Sequence, residues 1–295
     1  MVRQKDGTVL PCKLKGNLRI QGITTTNPVA VGDRVEYDYS ADRSLGIIKT
    51  VLERHNYIIR RATKLSKVSH IIAANIDQAI LIATLAMPRT STGFIDRFLV
   101  TAEAYHIPAG IVFNKTDLYD EQLKQRLTEF VALYSEIGYT CFGMSVINGE
   151  GMDDLVHVLK GKTTLLSGHS GVGKSAIINK LEPGLDLKTA GISSYHQKGV
   201  HTTTFAEILE LSIGGFIIDT PGIKEFGLID FEKSEVAERF PEMRALMYKC
   251  QYHNCTHVHE PRCAVKKALE EGRIDPGRYR NYLNILSGEW EDSAI

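Results

Sequence analysis

The chain lacks any apolar run approaching the roughly 20 residues that a membrane-spanning helix needs. Its opening residues, Met1-Val2-Arg3-Gln4-Lys5-Asp6, go straight into polar sequence without the apolar core of a signal peptide. No membrane partner is expected, and a cytoplasmic location is. Cysteine is scarce: the 295 residues hold five, an odd number for a disulfide framework. Three of them, Cys250, Cys255 and Cys263, crowd into one short segment, which in a reducing compartment suggests metal. Cys12 and Cys141 stand alone and read as packing residues. Net charge is missing too, with 35 Lys+Arg against 35 Asp+Glu. The balance hides an asymmetry, because residues 1–65 carry 12 basic and 6 acidic side chains, residues 66–228 carry 13 and 17, and residues 229–295 carry 10 and 12. A basic front end on a neutral chain is the footprint that phosphate backbones attract, although an ordinary solvated surface would count the same.

What is present is enough for two or three folding units, with 43% hydrophobic residues to fill their cores. From Val9 to about Arg61 short β-like runs alternate with turn signals. In Val35-Glu36-Tyr37-Asp38-Tyr39 the apolar side chains fall on one face, as in a half-buried strand. Several such strands in a basic segment favour a small barrel of the oligonucleotide-binding type, with an SH3-like barrel as the alternative. Arg54, Arg60, Arg61, Lys64 and Lys67 lead out of it, lining a nucleic-acid face or solvating a linker. Beyond Lys67 apolar strands alternate with helical stretches, the pattern of a parallel α/β sheet.

Gly168-His169-Ser170-Gly171-Val172-Gly173-Lys174-Ser175 has the spacing of a P-loop and follows the apolar run Thr163 to Ser167. Its glycines let the backbone fold into a nest of inward N–H groups, and Lys174 adds a point charge between the terminal phosphates. Ser175 is placed to hold Mg²⁺, while Ala176 opens a helix whose positive N-terminus faces the same phosphates. A second signal, Asn114-Lys115-Thr116-Asp117, ends the predicted strand Ala109 to Phe113. There a carboxylate such as Asp117 accepts both the N1–H and the exocyclic amine of guanine, donors that adenine does not offer. Asn114 is expected to brace neighbouring loops and the Lys115 stem to cover the base. Together the two motifs point to GTP and GDP. After a predicted helix from Glu121 to Ile137 and a strand from Thr140 to Met144, Ser145 opens the weaker base-contact loop, with Val146 and Ile147 where alanine and lysine are usual.

Downstream of the P-loop, Thr189 to Thr204 is polar and reads as a mobile loop. Thr203, with its neighbours as alternatives, is expected to complete Mg²⁺ coordination when a γ-phosphate is present. The strand Gly215 to Ile218 runs into Asp219-Thr220-Pro221-Gly222, where Asp219 would hold a metal-bound water and the Gly222 N–H would meet the γ-phosphate. The motif order is permuted, since the base readers precede the phosphate loop and both switches follow it. A parallel sheet tolerates this because the site depends on where the strand ends lie in space. A helical stretch, Phe231 to Tyr248, then leads to Cys250-x₄-Cys255-x-His257-x₅-Cys263, a closed tetrahedral set suited to one structural Zn²⁺. His253 and His259 are nearby substitutes for His257. Helices are expected from Ala264 to Glu271 and from Pro276 to Leu286.

With these motifs nearly the whole chain resembles the RsgA/YjeQ family of circularly permuted GTPases. The resemblance implies an OB-type barrel over 1–62, a permuted G domain over 63–228 and a helical zinc domain over 229–295. It also implies contact with the small ribosomal subunit and its rRNA, hydrolysis stimulated by that subunit, and a role in late maturation; a monomer is the default. Val200 departs from the family in standing where a basic residue is usual before His201-Thr202-Thr203. The position after Asp-x-x-Gly, where some GTPases carry a water-orienting glutamine, is Ile223. His201 is therefore expected to orient the attacking water, with Lys174 and Thr203 completing the catalytic set. The missing glutamine also admits a rival, a non-enzymatic GTP-liganded RNA-binding assembly scaffold.

Overall fold

The computed structural model describes residues 1–15, 27–61, 69–185, 207–219 and 235–288. At the front, β1 (Val2–Arg3) pairs antiparallel with β2 (Val9–Leu10). A three-stranded sheet follows in the order β3 (Cys12–Leu14), β5 (Gly46–Val51), β4 (Val35–Tyr39). The expected alternation holds in β4, where Val35 and Tyr37 are half-buried and Glu36 and Asp38 exposed; Tyr39 at its end is exposed as well. Next, β6 (Tyr57–Arg61) and β7 (Ser69–Ala74) form an antiparallel ladder that straddles residue 62. Among the described residues these sheets stay separate and do not close into a barrel. Ile58 and Ala73 pack into the core of the next unit, so the ladder fastens the front to the sheet behind it. Arg54 lines no outer face: its side chain is buried, and Nε and Nη2 donate to the two carboxylate oxygens of Asp33 at 2.6 Å each. The sequence signal for a basic linker missed this because the partner lies 21 residues earlier.

The central sheet has six strands in the order β10 (Thr140–Gly143), β9 (Ala109–Phe113), β8 (Gln78–Ala83), β11 (Thr163–Ser167), β13 (Phe216–Asp219), β12 (Glu207–Glu210). All neighbours are parallel except the edge strand β12. β8 is buried along its whole length, the signature of a strand covered on both faces. On one face Ala79, Leu81, Ala83, Ile111, Phe113 and Leu165 meet α1 (Thr92–Ala104) and α2 (Glu121–Ile137). On the other, Ile80, Ile82, Val112, Leu166 and Ile217 meet α3 (Met152–Leu159) and α4 (Lys174–Leu181). The chain leaves β8 toward β9 and β10, then returns to lay β11, β13 and β12 on the other side. The order therefore reverses between β8 and β11, where open α/β sheets bind ligands beyond their carboxyl ends.

The C-terminal unit contains a 3₁₀ turn (Ala237–Arg239), α5 (Pro241–Met247), α6 (Ala264–Glu270) and α7 (Pro276–Ser287) around a small core of its own. The helical stretch expected from Phe231 to Tyr248 is interrupted where Pro241 starts α5; residues 231–234 lie outside the described residues. No helix among the described residues is long and apolar enough to cross a membrane.

Candidate guanine-nucleotide site and metal cluster

Four loops meet at the carboxyl edge of the sheet: 84–91 after β8, 114–120 after β9, 144–151 after β10 and 168–173 after β11. Glu207 pairs with Asp219, so β12 enters the sheet at this same edge. The phosphate loop needs its glycines. Gly168 sits at φ 144° with Ile82 O where a Cβ would stand, and Gly173 sits at φ 102° with Asn114 Nδ2 in that place. Both leave the backbone free to turn its N–H groups inward. Lys174 Nζ donates to Gly168 O at 2.5 Å and to His169 O at 2.9 Å, which keeps its ammonium over the loop. Val172 is fully buried and anchors the loop, Ser175 is buried at the first turn of α4, and Ala176 is half-buried behind it. Ser170 and Gly171 are exposed.

Asn114 is buried, and its Nδ2 donates to Val172 O at 2.8 Å, tying the Asn114–Asp117 tetrad to the Gly168–Ser175 loop. Asn114 Oδ1 is buried without a hydrogen-bond partner. Lys115 takes a left-handed turn at φ 66° and its Nζ donates to Met87 O at 2.6 Å. Thr116 is buried and its hydroxyl donates to Glu150 Oε2 at 2.9 Å. Asp117 is exposed, and Ser145 Oγ donates to its Oδ1. The Ser145 side chain thus orients the tetrad's carboxylate, and it also accepts from Ile147 N at 3.2 Å and Asn148 N at 3.4 Å. Val146 and Ile147 leave this brace intact because neither side chain takes part in it.

Spacing alone did not reveal several supporting residues. Tyr119 accepts from Leu85 N at 2.8 Å and donates to Asn114 O at 2.9 Å; burial pushes its phenol up to about 12, so it stays a neutral donor. Phe94 at the start of α1 packs against His169 with ring centroids 3.8 Å apart and the planes tilted by 35°. His201, Thr203 and Gly222 lie outside the described residues, and Asp219 is placed by its backbone as the last residue of β13.

The other cluster has the donor set of a metal site. One ligand atom from each of Cys250, Cys255, His257 and Cys263 lies within 4.8 Å of the others. His257 Nδ1 is 3.3 Å from Cys263 Sγ and 3.6 Å from Cys250 Sγ, and the two sulfurs are 4.0 Å apart. A tetrahedron with Zn–S bonds of about 2.3 Å has edges of about 3.8 Å, so the set fits. The structure selects His257 over His253 and His259. Burial pushes the Cys255 thiol up to about 12, so a bound cation is what would make it a thiolate. Glu260 shapes the knuckle by accepting from Thr256 N, Thr256 Oγ1, Val258 N and His259 N at 2.6, 2.7, 3.0 and 3.1 Å.

Comparison with known proteins agrees with this geometry. The family model described as RsgA GTPase matches residues 51–229. A Bacteroides fragilis protein named small ribosomal subunit biogenesis GTPase RsgA is 52% identical over 290 residues, covering 98% of this chain and 93% of its own. A protein of the same name from Christiangramia forsetii is 50% identical, covering 100% and 94%. Among solved structures, YjeQ from Thermotoga maritima superposes with a TM-score of 0.79 at 37% identity, covering 97% of this chain and 91% of that one. YloQ, described as a circularly permuted GTPase, gives 0.75 at 30% identity, covering 97% and 88%.

Proposed function

Because the chain belongs to the RsgA family of GTPases, we propose that it hydrolyses GTP as a biogenesis factor of the small ribosomal subunit, acting late in maturation and stimulated by that subunit. The observation that carries this reading is the junction of Asn114–Asp117 with Gly168–Ser175, fastened by the bond from Asn114 Nδ2 to Val172 O. In this reading Asp117, oriented by Ser145, accepts from guanine, and the Lys115 stem covers the base. The nest from Gly168 to Gly173 and Lys174 hold the phosphates. Ser175 and Thr203 hold Mg²⁺, which when bound neutralises charge on the β- and γ-phosphate oxygens. Asp219 and Gly222 sense the γ-phosphate, and His201 orients the attacking water in place of the glutamine that Ile223 replaces. Cys250, Cys255, His257 and Cys263 hold one structural Zn²⁺.

The division into 1–62, 63–228 and 229–295 belongs to this proposal, with the β6–β7 ladder stapling the first two units. So do an OB-type front unit, its contact with rRNA, a cytoplasmic monomer and the absence of a membrane partner. A GTP-liganded scaffold without turnover is not favoured, since the family is one of GTPases. Co-sedimentation with purified small subunits tests the partner: the chain should pellet with a non-hydrolysable GTP analogue and be released by salt. Equal pelleting with large subunits would contradict it. His201→Ala should bind GTP normally and lose subunit-stimulated turnover; full stimulated turnover would remove His201 from its role.

A further inference from the structure

Helix α1 separates the nucleotide site from the metal cluster and touches the surroundings of both. Residues Asp96, Val100 and Glu103 form an i, i+4, i+7 stripe on one flank. Val100 enters the C-terminal core, and Glu103 Oε2 accepts from Arg244 Nη1 at 2.9 Å. Asp96 is fully buried and accepts from Arg278 Nη1 at 2.6 Å, Asn281 Nδ2 at 2.6 Å and Tyr134 Oη at 2.9 Å. Burial raises its carboxyl, opposed by the Arg278 charge and these three donors. Three donors aimed at one group call for the acceptor-only carboxylate. Arg278 is equally buried and also holds Glu242 through Nε and Nη2 at 2.9 and 3.0 Å.

Two residues before Asp96, and so on nearly the opposite side of the helix, the Phe94 ring packs at a tilt against His169 of the phosphate loop. The same loop residue offers its carbonyl to Lys174. Beyond α1, helix α7 grips the metal knuckle as well: Tyr279 Oη donates to His257 O at 2.6 Å and Tyr282 Oη donates to Thr256 O at 2.5 Å. The knuckle, α7, α1 and the phosphate loop thus form one contiguous chain of buried or directional contacts.

We propose that Phe94, Asp96 and Arg278 are positioning residues of the nucleotide site, through which guanine nucleotide and the cation of the Cys₃His cluster tighten each other's binding. This rests on the reading of both sites given above. A knuckle without its cation loses the four-ligand closure that fixes the carbonyls of Thr256 and His257, and with it two anchors of α7. The helix that α7 holds is then free to shift Phe94 off His169. Linkage makes the effect reciprocal, with the same factor in both directions.

The test uses the full chain in two titrations. Binding of a fluorescent GDP is measured on zinc-loaded and chelator-stripped protein, and zinc affinity is measured by chelator competition with and without saturating GDP. Each ligand should tighten the other by about 5-fold or more, by equal factors. In Phe94→Leu both ligands should still bind and the linkage factor should fall toward one. Tyr279→Phe, which deletes one hydroxyl, should lower it as well and serves if Phe94→Leu does not fold. Zinc and GDP that both bind with no mutual effect would overturn this inference alone. Failure of the chain to bind zinc would overturn it together with the reading of the cluster.

Discussion

In the proposed function Asp117 reads the base. Its carboxylate is exposed at the sheet edge and fixed on one oxygen by Ser145 Oγ. A hydrogen bond to a charged group contributes about 1.5–3 kcal/mol. Inosine diphosphate, which lacks the exocyclic amine, should therefore bind about 10- to 150-fold more weakly than GDP in a calorimetric titration. Asp117→Ala should erase that preference; a preference that survives would place base reading elsewhere. Lys174 differs in kind, since its Nζ rests on the loop carbonyls and has no part in the base. Lys174→Ala should keep the choice of guanine and lower turnover at saturating GTP by about 100-fold or more, read as phosphate release. Turnover near wild type would show that the loop's backbone suffices.

Helix α2 separates local stability from the site. Asp120 caps it by accepting from Leu123 N at 2.8 Å, and Gly138 ends it at φ 110° with nothing near its missing Cβ. Asp120→Ala should cost about 1 kcal/mol and Gly138→Ala about 1–2 kcal/mol from backbone strain alone, both by denaturant unfolding. Neither should change GDP affinity. These elements were the most legible in the sequence. The helix spans Glu121–Ile137 as expected, and β9 and β11 fall on the apolar runs. The reason is physical: caps, periods and glycine turns are local, and so are P-loop and guanine motifs, whose function depends on a few consecutive backbone groups. The short front strands were legible as strands. Their closure was not, because barrel closure depends on shear and register, which no single strand encodes.

Contacts between units carry no period and left no trace in the sequence. Asp96 and Arg278 are 182 residues apart, and even within the central unit Phe94 and His169 lie on separate elements, so nothing local marks either pair. Arg278→Met should destabilise the fold by about 3–5 kcal/mol, since it leaves Asp96 and Glu242 without their counter-charge. Adding Asp96→Asn should recover part of that loss in the same unfolding experiment, and a loss that simply doubled would contradict the pairing. The cysteine spacing, by contrast, was readable from the start, because four candidate ligands on one short loop are themselves a local pattern.

Circular permutation gives the molecule its order. The Asn114–Asp117 tetrad connects back toward the basic front unit, β13 ends beside the Gly168–Ser175 loop, and the chain after it leads to the Cys₃His cluster. The central claim is a GTPase that answers to the small ribosomal subunit, and the most direct measurement is phosphate release from saturating GTP with and without purified small subunits. Slow intrinsic turnover that rises at least tenfold with small subunits, about 1.4 kcal/mol off the barrier, and does not rise with large subunits is the expected result. Turnover that stays the same whichever subunit is added would contradict it.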